Sequence, residues 1–501
     1  MGLRNSLRHP PVGGIAKPPG PEAAKTGTVP QKIPLPFLLI TAIAALLWLP
    51  HLLALGMFMD GVYDAVFAKN IYTGAATFWV QQSINYTDPQ SWGTPPLGAW
   101  LLAQWLKVFG DHYQVERAYS LACGLVQLGL IAILWRTIFT NNGKLKQQAW
   151  LPCMLWLISP LTGWCYSNNL LENTMALFTT AAIIIIVWYV QQQRQMLLSS
   201  VAVAALLLMA AITKGPVALF PLILPVLLVG VNNKYDFKQG VLFSILQVAF
   251  FASLFAILFS FPEPKVFLQH YLDVQLKRAL THDMPGQYRP YQILIELLMA
   301  ALPFIALALI KYLMRKKLYT LSLLPSVSRR FLLLGVCGSL PIALSIKQRR
   351  FYLLPAMVPV VIGFAAYLVP LWDYAYEKAT SKTRQIISQF IQWGSIAAIA
   401  VSIALCVYNY GRPYRDISLL ADLQQLNQLA KNETAIRADW GFYDQWALRG
   451  YLLRLYDTKL CMPNEPAPAH YYLTHPNQRG DQLPANAVKI FSGANFDVYS
   501  Y

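Results

Sequence analysis

The sequence is short of charge. Of its 501 residues only 13% are Asp, Glu, Lys or Arg, while 56% are hydrophobic. That is about half the roughly 25% charge of a soluble globular domain. Apolar runs long enough to span a bilayer recur along the chain, which excludes a soluble globular enzyme. Acids are scarcer than bases, 23 against 40, for a net charge of +17. Cysteine is limited to six positions, 123, 153, 165, 337, 406 and 461, with no CxxC pair. All but Cys461 lie in or beside apolar runs, so packing is their expected role and a disulfide framework is excluded. There is no Walker motif, no GxGxxG and no DxD-type acidic pair, so neither nucleotide binding nor nucleotide-sugar metal chemistry has its usual signature. No internal repeat exists, which argues against transporter folds built from two related halves.

What the sequence does have is hydrophobic length. A bilayer core takes about 20 apolar residues as a helix. The candidates are 33–56, 118–136, 148–166, 170–190, 196–212, 214–231, 240–262, 291–310, 331–346, 351–372 and 386–408. The stretch 95–109 is also apolar, but it is short and opens with two prolines; it is expected to lie along the interface. The positive-inside rule orients this set. With the N-terminus in the cytoplasm, the inner segments 1–32, 136–147, 191–195, 232–239, 311–330 and 373–385 hold 20 Lys+Arg and four acids. The remainder of the chain holds 20 bases and 19 acids. The basic excess is therefore topological, and nucleic acid is not expected as a partner.

The expected fold is an all-α polytopic membrane protein of about 11 transmembrane helices with a small α/β outer domain at the C-terminus. Residues 1–32, rich in Pro and Gly, read as a disordered basic cytoplasmic tail. Residues 33–408 form the membrane domain, with outer loops at 57–117 and 263–290. Residues 409–501 form the outer domain. Leu spacing predicts a helix near 416–430, and strand-like runs follow at 434–438, 470–474 and 487–500, the last broken by a Gly-Ala-Asn turn.

Ionisable groups at membrane depth are functional candidates. Asp60, just after the first run, is placed to act as a general base or, on the plainer reading, to cap the helix that follows. Asp64, one turn on, reads as a supporting or solvated residue. Glu172 opens the fourth run beside Asn168, Asn169 and Asn173; this polar group fits sugar binding or acid/base support, whereas Glu172 alone fits a helix N-terminus. Lys347, Arg349 and Arg350 form an outer basic turn that breaks the inside rule. They read as an anion clamp for phosphate oxygens or as snorkelling cations. Lys214 is a further outer cation. Trp79, Tyr86, Trp92, Trp100 and Trp105 crowd the first outer loop as interfacial belt residues. His270 and His282 share the second outer loop, a pair too sparse to define a metal site.

Six ordered motifs carry a family resemblance: MDGVYDAVFAKNIYTG, TPPLGAWLLAQWLKVFGD, VERAYSLACG, NNLLENTM, ITKGPVALFP and KQRRFYLLPAMVP. Over about 33–372 the chain resembles glycosyltransferase family 39, polytopic GT-C enzymes that include protein O-mannosyltransferases and lipid A aminoarabinose transferases. The resemblance implies transfer of a monosaccharide from a polyprenyl-phosphate-sugar donor to an outer-face acceptor, a glycolipid such as lipid A or a protein hydroxyl. It implies an inverting mechanism with no cofactor or metal, membrane lipids as surroundings, and a bacterial inner-membrane location with the C-terminus periplasmic. Asp60 matches the family's catalytic Asp, and Glu172 a second acidic position. Lys347, Arg349, Arg350 and Lys214 match donor-phosphate positions, while Asn168, Asn169 and Asn173 remain sugar or acceptor candidates. Two departures stand out. Many members have Asp-Glu where this chain has Asp60-Gly61, and the lipid A enzymes have a Lys where it has Thr94 before Pro95-Pro96. A flippase for lipid-linked sugars is the rival of a different class.

Overall fold

In lipid a spanning chain must satisfy its own backbone groups, so the long apolar runs become helices. The computed structural model describes residues 35–501 except 83, 85–89, 92, 232–234, 278–280, 282–288, 290, 315–322, 479 and 481. The expected tail, Tyr86, Trp92 and His282 lie outside the described residues.

The first helix, α1 (Leu35–Leu52), leads into the segment that precedes the second long helix. There α2 (Met59–Tyr72) and α3 (Leu97–Phe109) flank a two-stranded ribbon, β1 (Gln81–Gln82) with β2 (Gln90–Ser91). The chain continues through α4 (Val115–Ile138), the pair α5 (Trp150–Ile158) and α6 (Pro160–Ser167), and α7 (Leu171–Gln192). Next come α8 (Met196–Lys214), α9 (Pro216–Leu227), α10 (Phe237–Phe259) and α11 (Pro262–His270). The last membrane helices are α12 (Gln292–Leu313), α13 (Leu323–Ala343), α14 (Leu354–Lys378) and α15 (Ser381–Tyr408).

Among the described residues nine helices are long and apolar enough to cross a membrane: α1, α4, α7, α8, α10, α12, α13, α14 and α15. The other two expected spans, 148–166 and 214–231, are broken, and prolines are the reason. Pro160 forces Ser159 into an extended conformation and separates α5 from α6. The Thr162 hydroxyl then donates to the Trp156 and Ser159 carbonyls at 2.6 and 2.8 Å, satisfying groups the break would strand. Pro216, Pro221 and Pro225 likewise make most of α9 a 3-10 helix. Both broken pieces still carry the chain from one end of the bundle to the other. Asn168, after α6, bonds Phe58 at the start of α2, and Arg330 bonds the carbonyls of Leu228 and Val229 after α9. The short α3 buries Ala99, Leu102, Ala103 and Leu106 against its neighbours and is too short to span.

Between apolar helices in lipid, polar side chains add selective contacts of roughly 0.6 kcal/mol each. Across α4 and α7, Gln127 donates to Thr180 at 2.9 Å, Tyr119 and Thr174 share a 2.7 Å bond, and Asn173 donates to Ser120 at 2.8 Å. The most enclosed helix is α14, buried along most of its length.

The C-terminal segment contains α16 (Ile417–Leu429), β3 (Ala435–Ala438), α17 (Trp446–Tyr456), β4 (Lys459–Cys461), β5 (Tyr471–Thr474), β6 (Val488–Ser492) and β7 (Asp497–Ser500). The sheet order is β4-β3-β5-β7-β6, with β3 parallel to β4 and β5, and β7 antiparallel to β5 and β6. The expected strands and the hairpin before residue 497 are present; α17 and the three-residue β4 are additions. The core of this domain, including Leu423, Leu448 and Phe496, takes in Met57 and Val62 from the segment after α1. Backbone bonds Leu55 N–Arg412 O at 2.9 Å and Tyr414 N–Leu55 O at 2.9 Å join the two pieces. Below them Arg454 grips Glu116 through two bonds of 3.2 and 3.1 Å and Asp111 at 2.7 Å, while Lys69 pairs with Asp111 and Asp457.

Candidate active site

The first turn of α2 places Asp60 and the next turn Asp64 on one helical face. Both line a cavity of about 650 Å³. Lys214, the last residue of α8, and Lys347, in the turn before α14, also line it. The rest of the wall includes Gly93, Thr94 and Pro95 before α3, Tyr271 and Gln275 after α11, Tyr352, and Trp446 from the C-terminal domain. Carboxylates and cations from segments far apart in sequence thus face one space.

The charges are held differently. Asp60 is partly exposed, whereas Asp64 is 3% exposed and its Oδ2 lacks a hydrogen-bond partner among the described residues. Burial pushes the Asp64 carboxyl well above the usual carboxylate range, against the opposing pull of Lys214. Lys214 Nζ lies 3.4 Å from Glu172 Oε1 and 5.7 Å from the centre of the Tyr352 ring. Lys347, an exposed residue, reaches Gln275 Oε1 at 3.5 Å. Burial raises the Tyr271 hydroxyl to about 12, with Lys214 opposing. That hydroxyl packs directly on Gly215, whose φ of +114° and absent Cβ make room for it.

Several expected site residues sit outside the lining. Glu172 is fully buried and is absent from the cavity lining, to which its ion pair with Lys214 connects it. Arg349 and Arg350 are exposed and do not line the cavity; the Arg350 guanidinium lies 4.9 Å from the Trp164 ring centre. The three asparagines do not line the cavity; their amide nitrogens donate within the fold, while the buried Asn173 Oδ1 has no partner among the described residues. Asn168 accepts from Phe58 N at 2.7 Å and donates to Trp164 O; Asn169 donates to Gly61 O, and Asn173 to Ser120 and Cys165 O. Asn168 and Asn169 lock the start of α2 to the α6–α7 junction. The same junction accounts for Gly61: a Cβ there would overlap the Asn168 carbonyl, so no side chain can follow Asp60 directly.

Asp64, Tyr271, Gln275 and Trp446 were not singled out as site residues by the sequence. Asp64 carried the one usable signal, its spacing of four from Asp60. Among the described residues no group of three or more His, Cys, Asp or Glu is arranged to hold a metal ion, and His270 stands apart from the cavity lining.

Residues 93–263 match the family model described as dolichyl-phosphate-mannose-protein mannosyltransferase. No curated protein sequence matches the chain significantly. Among solved structures, ArnT from Cupriavidus metallidurans in the apo state is similar over 93% of this chain and 97% of its own, with a TM-score of 0.63 and 15% identity. The same protein bound to undecaprenyl phosphate gives a TM-score of 0.59 at 13% identity over the same shares. By its matching family model and its ArnT-like polytopic fold, the chain resembles the GT-C enzymes of glycosyltransferase family 39.

Proposed function

We propose that this multi-pass membrane protein is a glycosyltransferase that moves a monosaccharide from a polyprenyl-phosphate donor to a hydroxyl of an outer-face acceptor, with inversion. The observation that carries this reading is the cavity in which Asp60 faces Lys214 and Lys347. The matching family and the lipid phosphate bound by a structural relative support the donor class.

Asp60 takes the proton of the acceptor hydroxyl, whose oxygen attacks the anomeric carbon from the side opposite the phosphate. As the anomeric C–O bond breaks, its electron pair leaves with the lipid phosphate. Lys347 is the cavity cation free of a carboxylate partner among the described residues, and it meets that growing charge with Lys214 behind it. Arg349 and Arg350, exposed beside the turn, receive the phosphate as the lipid arrives from the bilayer. No cofactor or metal enters this scheme. A glycolipid is the favoured acceptor. The name of the matching family supports a protein hydroxyl as the second reading. We place the protein in a bacterial inner membrane with the cavity and C-terminus on the periplasmic side.

The test is transfer from radiolabelled polyprenyl-phosphate sugars to lipid and peptide acceptors by the purified protein. Asp60→Asn is expected to lower turnover at least 100-fold while polyprenyl phosphate still binds. Normal transfer by that variant removes Asp60 from the mechanism. Sugar translocation without a new glycosidic bond identifies a flippase instead.

A further inference from the structure

Asp64 is the cavity carboxylate that the mechanism leaves unused. It lies one helical turn beyond Asp60, so the two carboxyls project from the same face of α2, and both line the cavity. Their surroundings differ. Asp60 is partly exposed, open to an acceptor arriving from outside, whereas Asp64 is 3% exposed. A buried carboxyl oxygen without a donor is unfavourable, and each such group in a native protein calls for an explanation. The fold supplies none at Asp64 Oδ2. Nor do the nearby cations claim it: Lys214 pairs with Glu172 and Lys347 with Gln275. Gly61 adds the reason for the position. The Asn168 carbonyl forbids a side chain directly after Asp60, so a second carboxylate on this face must come a turn later.

We propose that Asp64 recognises the transferred sugar, its carboxyl receiving a hydrogen bond from a hydroxyl or ammonium group on the sugar ring while Asp60 faces the acceptor. This rests on the donor reading above. Asp60 and Asp64 then divide the work: one acts on the incoming hydroxyl, the other selects what is moved.

Equilibrium binding to the full-length protein in nanodiscs tests the proposal with three probes: undecaprenyl phosphate, undecaprenyl-phosphate mannose and undecaprenyl-phosphate glucosamine with a free amine. The wild type is expected to bind a sugar-bearing probe more tightly than the bare lipid. Asp64→Ala should reduce that ratio on the order of tenfold. Asp64→Asn, which keeps the shape, separates the two donors: the ratio survives for a hydroxyl and is lost for an ammonium. Bare-lipid binding by the variants shows that the cavity is intact, and if Asp64→Ala binds nothing, Asp64→Leu, which keeps the bulk without an acceptor, takes its place in the ratio. An undiminished ratio in both variants overturns the proposal, as does a wild type that binds the bare lipid as well as either sugar. A wild type that binds none of the three overturns the donor reading itself, and the proposal with it.

Discussion

Lys214 and Glu172 show how one buried contact sets the charge of the cavity. Glu172 is fully buried and its Lys214 partner is 17% exposed at the side chain, so each depends on the other. Removing one member of such a pair costs about 3–5 kcal/mol, because the remaining charge is left uncompensated. Glu172→Ala should therefore lower thermal stability markedly and impair transfer. Replacing both, Glu172→Leu with Lys214→Met, should recover most of the stability and little of the transfer, since one of the two cavity cations is gone. Unfolding scans and transfer assays on the three proteins check this; recovery of transfer in the double variant would remove Lys214 from phosphate stabilisation. The sequence marked Asp60, Lys214 and Lys347 because a charge at the edge of an apolar run is conspicuous. It could not separate Glu172 from them, since a helix-start acid looks the same whether it faces a cavity or a neighbouring lysine. The asparagines show a related ambiguity: a polar residue beside an apolar run looks the same whether it meets a ligand or, as at Asn168, a backbone amide and carbonyl.

At the scale of elements, α2 is the part on which the site depends most closely. Its start is fixed by Asn168 and Asn169, and Gly61 lies against the Asn168 carbonyl. Gly61→Ala should push α2 away from the α6–α7 junction at a cost of about 1–3 kcal/mol. Because Asp60 and Asp64 ride on this helix, transfer should fall further than stability does, and donor binding should weaken. An alanine variant with full transfer would show that α2 tolerates the shift. Hydrophobic length made the long helices legible in the sequence, and alternation made β3, β5 and the β6–β7 hairpin legible. The breaks in α5–α6 and α9 were masked by the same apolar runs, which read as continuous although Pro160 and Pro216 interrupt them. The three-residue β4 exists only by pairing with β3, and no local pattern announces it.

For the whole molecule, the C-terminal domain is part of the site. Trp446 lines the cavity, and Arg454 closes an ion network with Glu116, Asp111 and, through Asp111, Lys69. Glu116 is 1% exposed, so Arg454→Ala leaves a buried carboxylate without its cation, at a cost of about 3–5 kcal/mol. Limited proteolysis should then release a fragment beginning near residue 409 that the wild type retains. A variant as resistant as the wild type would show that the backbone ties at Arg412 and Tyr414 suffice. None of these contacts follows from spacing, because Arg454 and Glu116 are 338 positions apart.

The pairing of Leu55 with Arg412–Tyr414 also has a consequence for synthesis. Asp60 leaves the ribosome early, yet the strand-like partner beside it and the arginine beneath it belong to the last hundred residues. Throughout most of translation Asp60 and Asp64 therefore sit on a helix whose far side is unfinished. The cavity is complete only when the final domain emerges and docks, because Trp446 is part of its lining.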